Sequence, residues 1–172
     1  CPCIQLKPHL HSLTNTRVTV SLFLSTPISA AHCAGIFAGN DIYIGGLKIT
    51  GEDAPETILA ETELLHPDYE DLILDNDIML IKLNSPSKAT PSIWNTVAAM
   101  PADQATTTTI GFGLISESGG CSDELLEVNI KVVPYETCQV ASFEEINDNT
   151  MICASAPGKD SCYGDSGGPM FD

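Results

Sequence analysis

The chain is 172 residues long and 43% hydrophobic, enough for one domain with a sizeable core and too apolar for intrinsic disorder. Seven Lys and Arg against 23 Asp and Glu give a formal net charge of −16, a surface that repels phosphate backbones, disfavours nucleic acid and attracts cationic partners. The longest apolar runs, at 18–24 and 78–83, fall far short of the roughly 20 residues a membrane-crossing helix needs, so no membrane partner is expected.

Strand signals dominate from the start. RVTVSLFL at 17–24 begins with alternation and turns apolar. Segments 41–44 and 47–50 flank Gly45-Gly46, which reads as a turn between two strands. Segment 58–65 fits a helix or a strand, because periodicity does not separate the two over so short an apolar run. IMLIKL at 78–83 is a short buried strand bounded by Asn76-Asp77 and Asn84-Ser85. Strands are also expected at 106–112 and at 126–133, where LEVNIKVV alternates. Ser142 with Glu145 three residues on has capping-box spacing and predicts a short helix in SFEEIND. Many short strands punctuated by Gly and Pro predict an all-β sandwich or barrel.

The seven cysteines, Cys1, Cys3, Cys33, Cys121, Cys138, Cys153 and Cys162, form no pair of CxxC motifs. Scattered in this way they favour disulfides and an oxidising compartment. The odd count leaves at least one thiol without a partner in these residues. The histidines and cysteines lack ligand spacing, so no metal is expected.

The sharpest chemical signal is Gly164-Asp165-Ser166-Gly167-Gly168-Pro169. Flanking glycines let the backbone turn tightly and let a carbonyl approach, and adjacent N–H groups can converge where an oxyanion develops. A serine hydroxyl is a weak nucleophile that needs a base, and the base needs an orienting group. The chain holds four histidines, His9, His11, His32 and His66. His32 follows small residues in Ser29-Ala30-Ala31-His32-Cys33, whereas His66 precedes Pro67 and reads as a turn residue. Asp77 opens the buried 78–83 run, a costly place for a carboxylate without a partner, and a buried imidazole is the partner it needs. Asp75 is its rival; register with Ile78-Met79-Leu80 favours Asp77.

SAAHC, DNDIMLIKL and DSCYGDSGGP, in that order, resemble the three signature blocks of the trypsin-like serine proteases. GFG at 111–113 resembles the family's Gly-Trp-Gly segment, with Phe112 in place of Trp. YETC at 135–138 and MICA at 151–154 resemble the segments that carry a paired disulfide. The resemblance covers residues 28–172. It implies a chymotrypsin-like fold of two six-stranded antiparallel β-barrels, the second incomplete. It implies one partial peptidase domain over 1–172, with 1–25 an atypical N-terminal segment.

The same resemblance implies roles residue by residue. Ser166 matches the nucleophile, His32 the general base and Asp77 the group that fixes the imidazole. The N–H groups of Gly164 and Ser166 match the oxyanion hole. Asp160 matches the floor of the specificity pocket, where a carboxylate favours Lys or Arg. Asp165 matches the acid that pairs with a freed amino terminus in active members, and Cys138 and Cys153 match a family disulfide. The implied function is a secreted, monomeric serine endopeptidase cutting after Lys or Arg, needing no cofactor, with protein substrates and protein inhibitors as partners. The family's calcium carboxylates would fall near Gly45 and Pro55, so Glu52, Asp53 and Glu56 read as a solvated acidic loop.

The sequence departs from the family in three ways. No Ile-Val-Gly-Gly-like start is present, and Arg17-Val18 lies only 15 residues before His32. The family pattern continues beyond Asp172. Cys162 would pair with a later cysteine, Cys33 would pair where Arg17 stands unless Cys1 or Cys3 substitutes, and Cys121 has no family partner. These departures predict a longer secreted protease, with the 172-residue segment alone poorly folded or inactive. The alternative is a non-catalytic homologue acting as a binding or regulatory module; the intact His32, Asp77 and Ser166 argue against it.

Overall fold

The computed structural model describes residues 21–23, 26–93, 95–97, 101–116, 118–142 and 146–171. His9, His11, Cys1, Cys3, Arg17 and most of the atypical 1–25 segment lie outside them.

The all-β expectation holds. Two antiparallel sheets account for nearly all regular structure, with one short α-helix and one 3-10 turn. The first sheet has strand order β1-β2-β5-β4-β3, built from β1 (Ser21–Phe23), β2 (Thr26–Ser29), β3 (Asp41–Ile44), β4 (Glu56–Leu65) and β5 (Met79–Leu83). The second has order β8-β7-β6-β9, from β6 (Thr106–Gly111), β7 (Leu126–Val133), β8 (Cys153–Ser155) and β9 (Met170–Phe171). Five and four strands are therefore seen among the described residues, against six expected in each barrel.

Segment 58–65 resolves as strand, the second part of the ten-residue β4. Ile58 and Ala60 turn inward while Leu59 stays 40% exposed, and β4 pairs with β3 on one side and β5 on the other. Pairing on both edges decides what periodicity left open. Segment 47–50 is not a sheet strand. The Asp53 carboxylate accepts the Leu47 and Lys48 N–H groups at 2.9 and 3.1 Å, curling the segment on itself, and β3 pairs directly with β4. What remains extended there meets the second sheet: Lys48 bridges Glu124, and Leu125 N–H donates to the Leu47 carbonyl at 2.8 Å.

Ser142 ends a helix. It is the C-cap of α1 (Tyr135–Ala141), which starts after Pro134, a residue that presets φ for a helix entry. The helix expected in SFEEIND, 142–148, is not seen at its described residues: Ser142 ends α1 and 146–148 are not helical, while 143–145 lie outside the described residues.

The larger core belongs to the first sheet: Ile42, Ile44, Ile58, Ala60, Met79 and Ile81, closed by Ala30, Ala31, Cys33 and Phe37. Each large apolar side chain buried there contributes about 1.5–3 kcal/mol. The second sheet buries Thr107, Ile130 and Val132 and leaves Leu126 and Phe171 at 47% and 40% exposure. The catalytic candidates come from both halves, His32 and Asp77 from connections in the first, Ser166 from the loop before β9.

Candidate active site

His32 sits on a single 3-10 turn, Ala31–Cys33, that follows β2. Ala30 and Ala31 are buried; larger residues would push the turn off the core. The turn points its polar groups at Asp77, which stands two residues before β5. The Asp77 carboxylate accepts the His32 backbone N–H through Oδ1 at 2.8 Å and meets the ring Nδ1 through Oδ2 at 2.6 Å. Both lie next to each other because β2 pairs with β5, Ser29 opposite Met79. The paired bonds fix the ring's orientation and, by inference from the network, put the proton of the neutral ring on Nδ1. Nε2 is then the nitrogen able to exchange protons. The Asp77 hydrogen bond, with a smaller contribution from Cys33, raises the imidazole pKa to about 10 against the opposing effect of burial.

Of the rivals Asp75 and Asp77, it is Asp77 that makes contacts with His32. Asp75 makes none with His32; it reaches Asn147 and Thr150 instead. His66 is a turn residue, as expected, its Nδ1 accepting the Asp68 N–H.

Ser166 lies in two successive tight turns: Asp165 N–H donates to the Cys162 carbonyl at 3.0 Å and Gly168 N–H to the Asp165 carbonyl at 2.9 Å. Gly164 and Gly167 have φ of +94° and +78°, backbone that favours glycine. Gly167 also needs the space. A β-carbon there would lie 2.1 Å from Ser29 Oγ and 3.1 Å from the Ala30 nitrogen. The residue after Ser166 is thus pressed onto the segment that leads into His32. Among the described residues, no hydrogen bond joins the Ser166 hydroxyl to the imidazole, and the N–H groups of Gly164 and Ser166 have no partner. Two such donors flanking a serine can accept a developing oxyanion.

Asp165 points away from Ser166. Its Oδ1 accepts the Gly113 N–H and its Oδ2 the Cys162 N–H, both at 2.8 Å. This explains both glycines of GFG: a β-carbon on Gly111 or Gly113 would fall 2.0 or 2.5 Å from that carboxyl group. Asp160 and Asp165 line one open cleft of about 780 Å³ against the β6–β7 side. The Asp160 carboxyl accepts the Ser161 N–H at 2.9 Å, yet burial pushes its pKa up. A part-buried carboxylate of this kind is receptive to a cation.

Cys138 and Cys153 form a disulfide that ties α1 to β8, Cα to Cα 6.3 Å. Cys33 is buried and Cys121 exposed, the latter's sulfur 3.8 Å from where a Gly164 β-carbon would stand. In the acidic loop Glu52 and Asp53 are exposed, as expected, and the carboxylates make local contacts: Asp53 closes its own loop, Glu56 accepts from Ser87 and the Lys88 N–H, and Glu52 pairs with Lys48. Among the described residues no three His, Cys, Asp or Glu side chains group to hold a metal. One anchoring residue carried no sequence signal. Glu63, on β4, accepts the N–H groups of Gly35 and Phe37 at 2.6 Å and of Ala38 at 3.1 Å, pinning the loop that follows His32.

A sequence model of the family described as Trypsin matches residues 5–172. Trypsin eta of Drosophila erecta is 35% identical over 152 residues, covering 84% of this chain and 59% of that protein. Trypsin-1 of Salmo salar is 36% identical over 149 residues, with 83% and 60% covered, and the anionic trypsin of Canis lupus familiaris 37% over 152, with 83% and 59%. The chain thus spans about three fifths of the length of these curated relatives. The solved structure of neuropsin, a serine protease expressed in the limbic system of mouse brain, matches with a TM-score of 0.78 at 22% identity, over 88% of this chain and 69% of that one. That likeness bears out the chymotrypsin-like architecture with its second barrel incomplete.

Proposed function

The chain belongs to the trypsin family of serine proteases, and from that premise we propose that it is a secreted serine endopeptidase cutting after Lys or Arg through an acyl-enzyme. The observation that carries the reading is the His32–Asp77 pair at 2.6 Å, with Gly167, the neighbour of Ser166, pressed against the approach to His32.

The mechanism is the one this family exemplifies, carried over to these positions. Ser166 Oγ attacks the scissile carbonyl and passes its proton to His32 Nε2. Asp77 holds the tautomer and stabilises the imidazolium. The carbonyl oxygen, now an oxyanion, accepts from the Gly164 and Ser166 N–H groups. His32 returns the proton to the departing amine, leaving an ester on Ser166. Water, deprotonated by His32, then hydrolyses that ester and regenerates the hydroxyl. Asp160 selects a cationic side chain by charge pairing in a desolvated slot. Asp165 receives the freed amino terminus of the active form. Residues 1–172 act as one peptidase domain, monomeric, with protein substrates and inhibitors as partners; the Cys138–Cys153 disulfide supports secretion.

The missing Ser166–His32 hydrogen bond favours a second reading, a non-catalytic homologue that binds. A fluorophosphonate probe separates the two. On the native protein, labelling at Ser166 that vanishes in Ser166→Ala supports the peptidase; a native protein that stays unlabelled supports the binding module. Peptide anilides with Lys, Arg, Phe or Ala before the scissile bond test Asp160: fast turnover confined to Lys and Arg is expected, and is lost in Asp160→Ser.

A further inference from the structure

Asp75 is two residues from Asp77, and its carboxylate accepts three hydrogen bonds. Its Oδ2 accepts the Asn147 side-chain amide at 3.1 Å, and its Oδ1 accepts the Thr150 hydroxyl and the Asn76 N–H, the latter at 3.0 Å. Its backbone carbonyl accepts the Glu70 N–H at 3.1 Å. Asn147 and Thr150 belong to the connection between α1 and β8, in the half that also carries Ser166. One carboxylate therefore fastens the segment delivering Asp77 to the opposite half of the molecule. Its pKa is lowered, chiefly by the Thr150 donor, so it stays ionised and keeps accepting.

The backbone on both sides of it is unusual. Leu74 and Asn76 have φ of +52° and +54°. Asparagine tolerates that region; a leucine rarely enters it. Such a conformation persists only where surrounding contacts over-determine it, and such places cluster at functional sites. The contacts here are made by Asp75, together with Asn76, whose side chain donates to the Asp68 carbonyl at 3.1 Å.

We propose that Asp75 is a positioning residue: by holding the 74–76 turn against Asn147 and Thr150, it sets where the Asp77–His32 pair stands relative to Ser166. It touches neither substrate nor reacting atoms. The role rests on the peptidase reading above and extends it to the joint between the two halves.

The test uses the protein at its natural length, with kcat and KM for a lysine thiobenzyl ester counted per site titrated by fluorophosphonate. Asp75→Ala is expected to lower kcat by about 10- to 100-fold, the scale of a misplaced catalytic group, with KM little changed. The pair Asn147→Ala and Thr150→Val, which leaves the turn's own sequence intact, should reproduce the loss from the opposite half. Asp75→Asn, which keeps an acceptor for Thr150, should recover most of it. A purely structural role would reduce the number of titratable sites and leave kcat per site unchanged. If Asp75→Ala does not fold, the Asn147→Ala, Thr150→Val protein carries the test alone. A per-site kcat within about twofold of wild type in the folded variants overturns the positioning role while the peptidase reading stands. A wild type that the probe does not label overturns the peptidase reading, and the positioning role with it.

Discussion

Ser29 and Gly167 face each other so closely that residue 167 has no room for a methyl group: its β-carbon would lie 2.1 Å from Ser29 Oγ. The two residues belong to different halves of the molecule, one just before His32, the other just after Ser166. Ser29 is 4% exposed and its hydroxyl makes no hydrogen bond among the described residues. That hydroxyl faces the junction it helps to define.

Gly167→Ala should therefore be destabilising by more than its positive φ alone costs, which is about 1–3 kcal/mol. Adding Ser29→Ala should return part of the loss, because the oxygen in the way is removed. Ser29→Ala by itself should be neutral or slightly stabilising, since a buried hydroxyl without a partner is a burden. Urea denaturation of the three proteins checks this. A Ser29→Ala protein weakened by more than about 1 kcal/mol would mean that the hydroxyl is bonded after all.

The His32 pKa, raised from 6.5 to about 10, makes a signed prediction for pH. A folded-state pKa above the unfolded one contributes stability that is fully present below pH 6.5 and is lost as pH rises through about 10. For catalysis the imidazole must be neutral, so activity should climb with pH and its acidic limb should lie above 6.5. Asp77→Asn should lower both the limb and the stability gain. An NMR titration of the His32 ring in the two proteins measures the shift directly, and a ring that titrates at an ordinary value in wild type would refute it.

The Cys138–Cys153 disulfide closes a loop of 15 residues. On the chain-entropy account its loss costs about 3 kcal/mol. Replacing both cysteines by Ser should lower the unfolding free energy from urea titration by that amount and leave His32–Asp77 chemistry intact, because neither residue touches the bridge. Loss of the Ser166 probe reaction together with the bridge, in a protein still folded, would contradict this separation.

Glu63 should matter more than an ordinary strand glutamate. Its carboxylate takes up three backbone donors of the loop after His32. Glu63→Ala should cost about 1–3 kcal/mol, chiefly for the part-buried Phe37 donor left unmet, since water can reach the exposed Gly35 and Ala38 donors, and Glu63→Gln less. Hydrogen exchange at Gly35, Phe37 and Ala38 should accelerate in Glu63→Ala before exchange elsewhere does. Unchanged exchange at those three amides would show the loop to be held by other means.

Much of this was legible in the residues. The alternation in 126–133 and the short apolar block 78–83 come out as β7 and β5, because in each the burial pattern is set by a sheet with one buried face. His32 and Asp77 were readable from small residues before one and an apolar run after the other. The segment 47–50 misled because its alternation matches a strand, while Asp53, five and six residues on, offers its N–H groups a nearer acceptor. Helix α1 was hidden: seven residues with one buried side chain carry no periodic signal. Glu63 and Asp75 were hidden for a different reason. Each acts through backbone groups or side chains 25 to 75 positions away, and nothing local in a sequence marks an acceptor for a distant donor.

The bonds that build the site span 45 residues between His32 and Asp77, 52 between Gly113 and Asp165, and 72 between Asp75 and Asn147. The first two form within one half each, whereas the bond from Asp75 to Asn147 needs both halves assembled. Long loops must close before any of these contacts repays the closure, which makes folding slow. It also orders events: a molecule with only the first sheet assembled holds His32 beside Asp77 and leaves Ser166 apart from both. The joining of Ser166 to the His32–Asp77 pair is therefore a late event, tied to the docking of the two sheets.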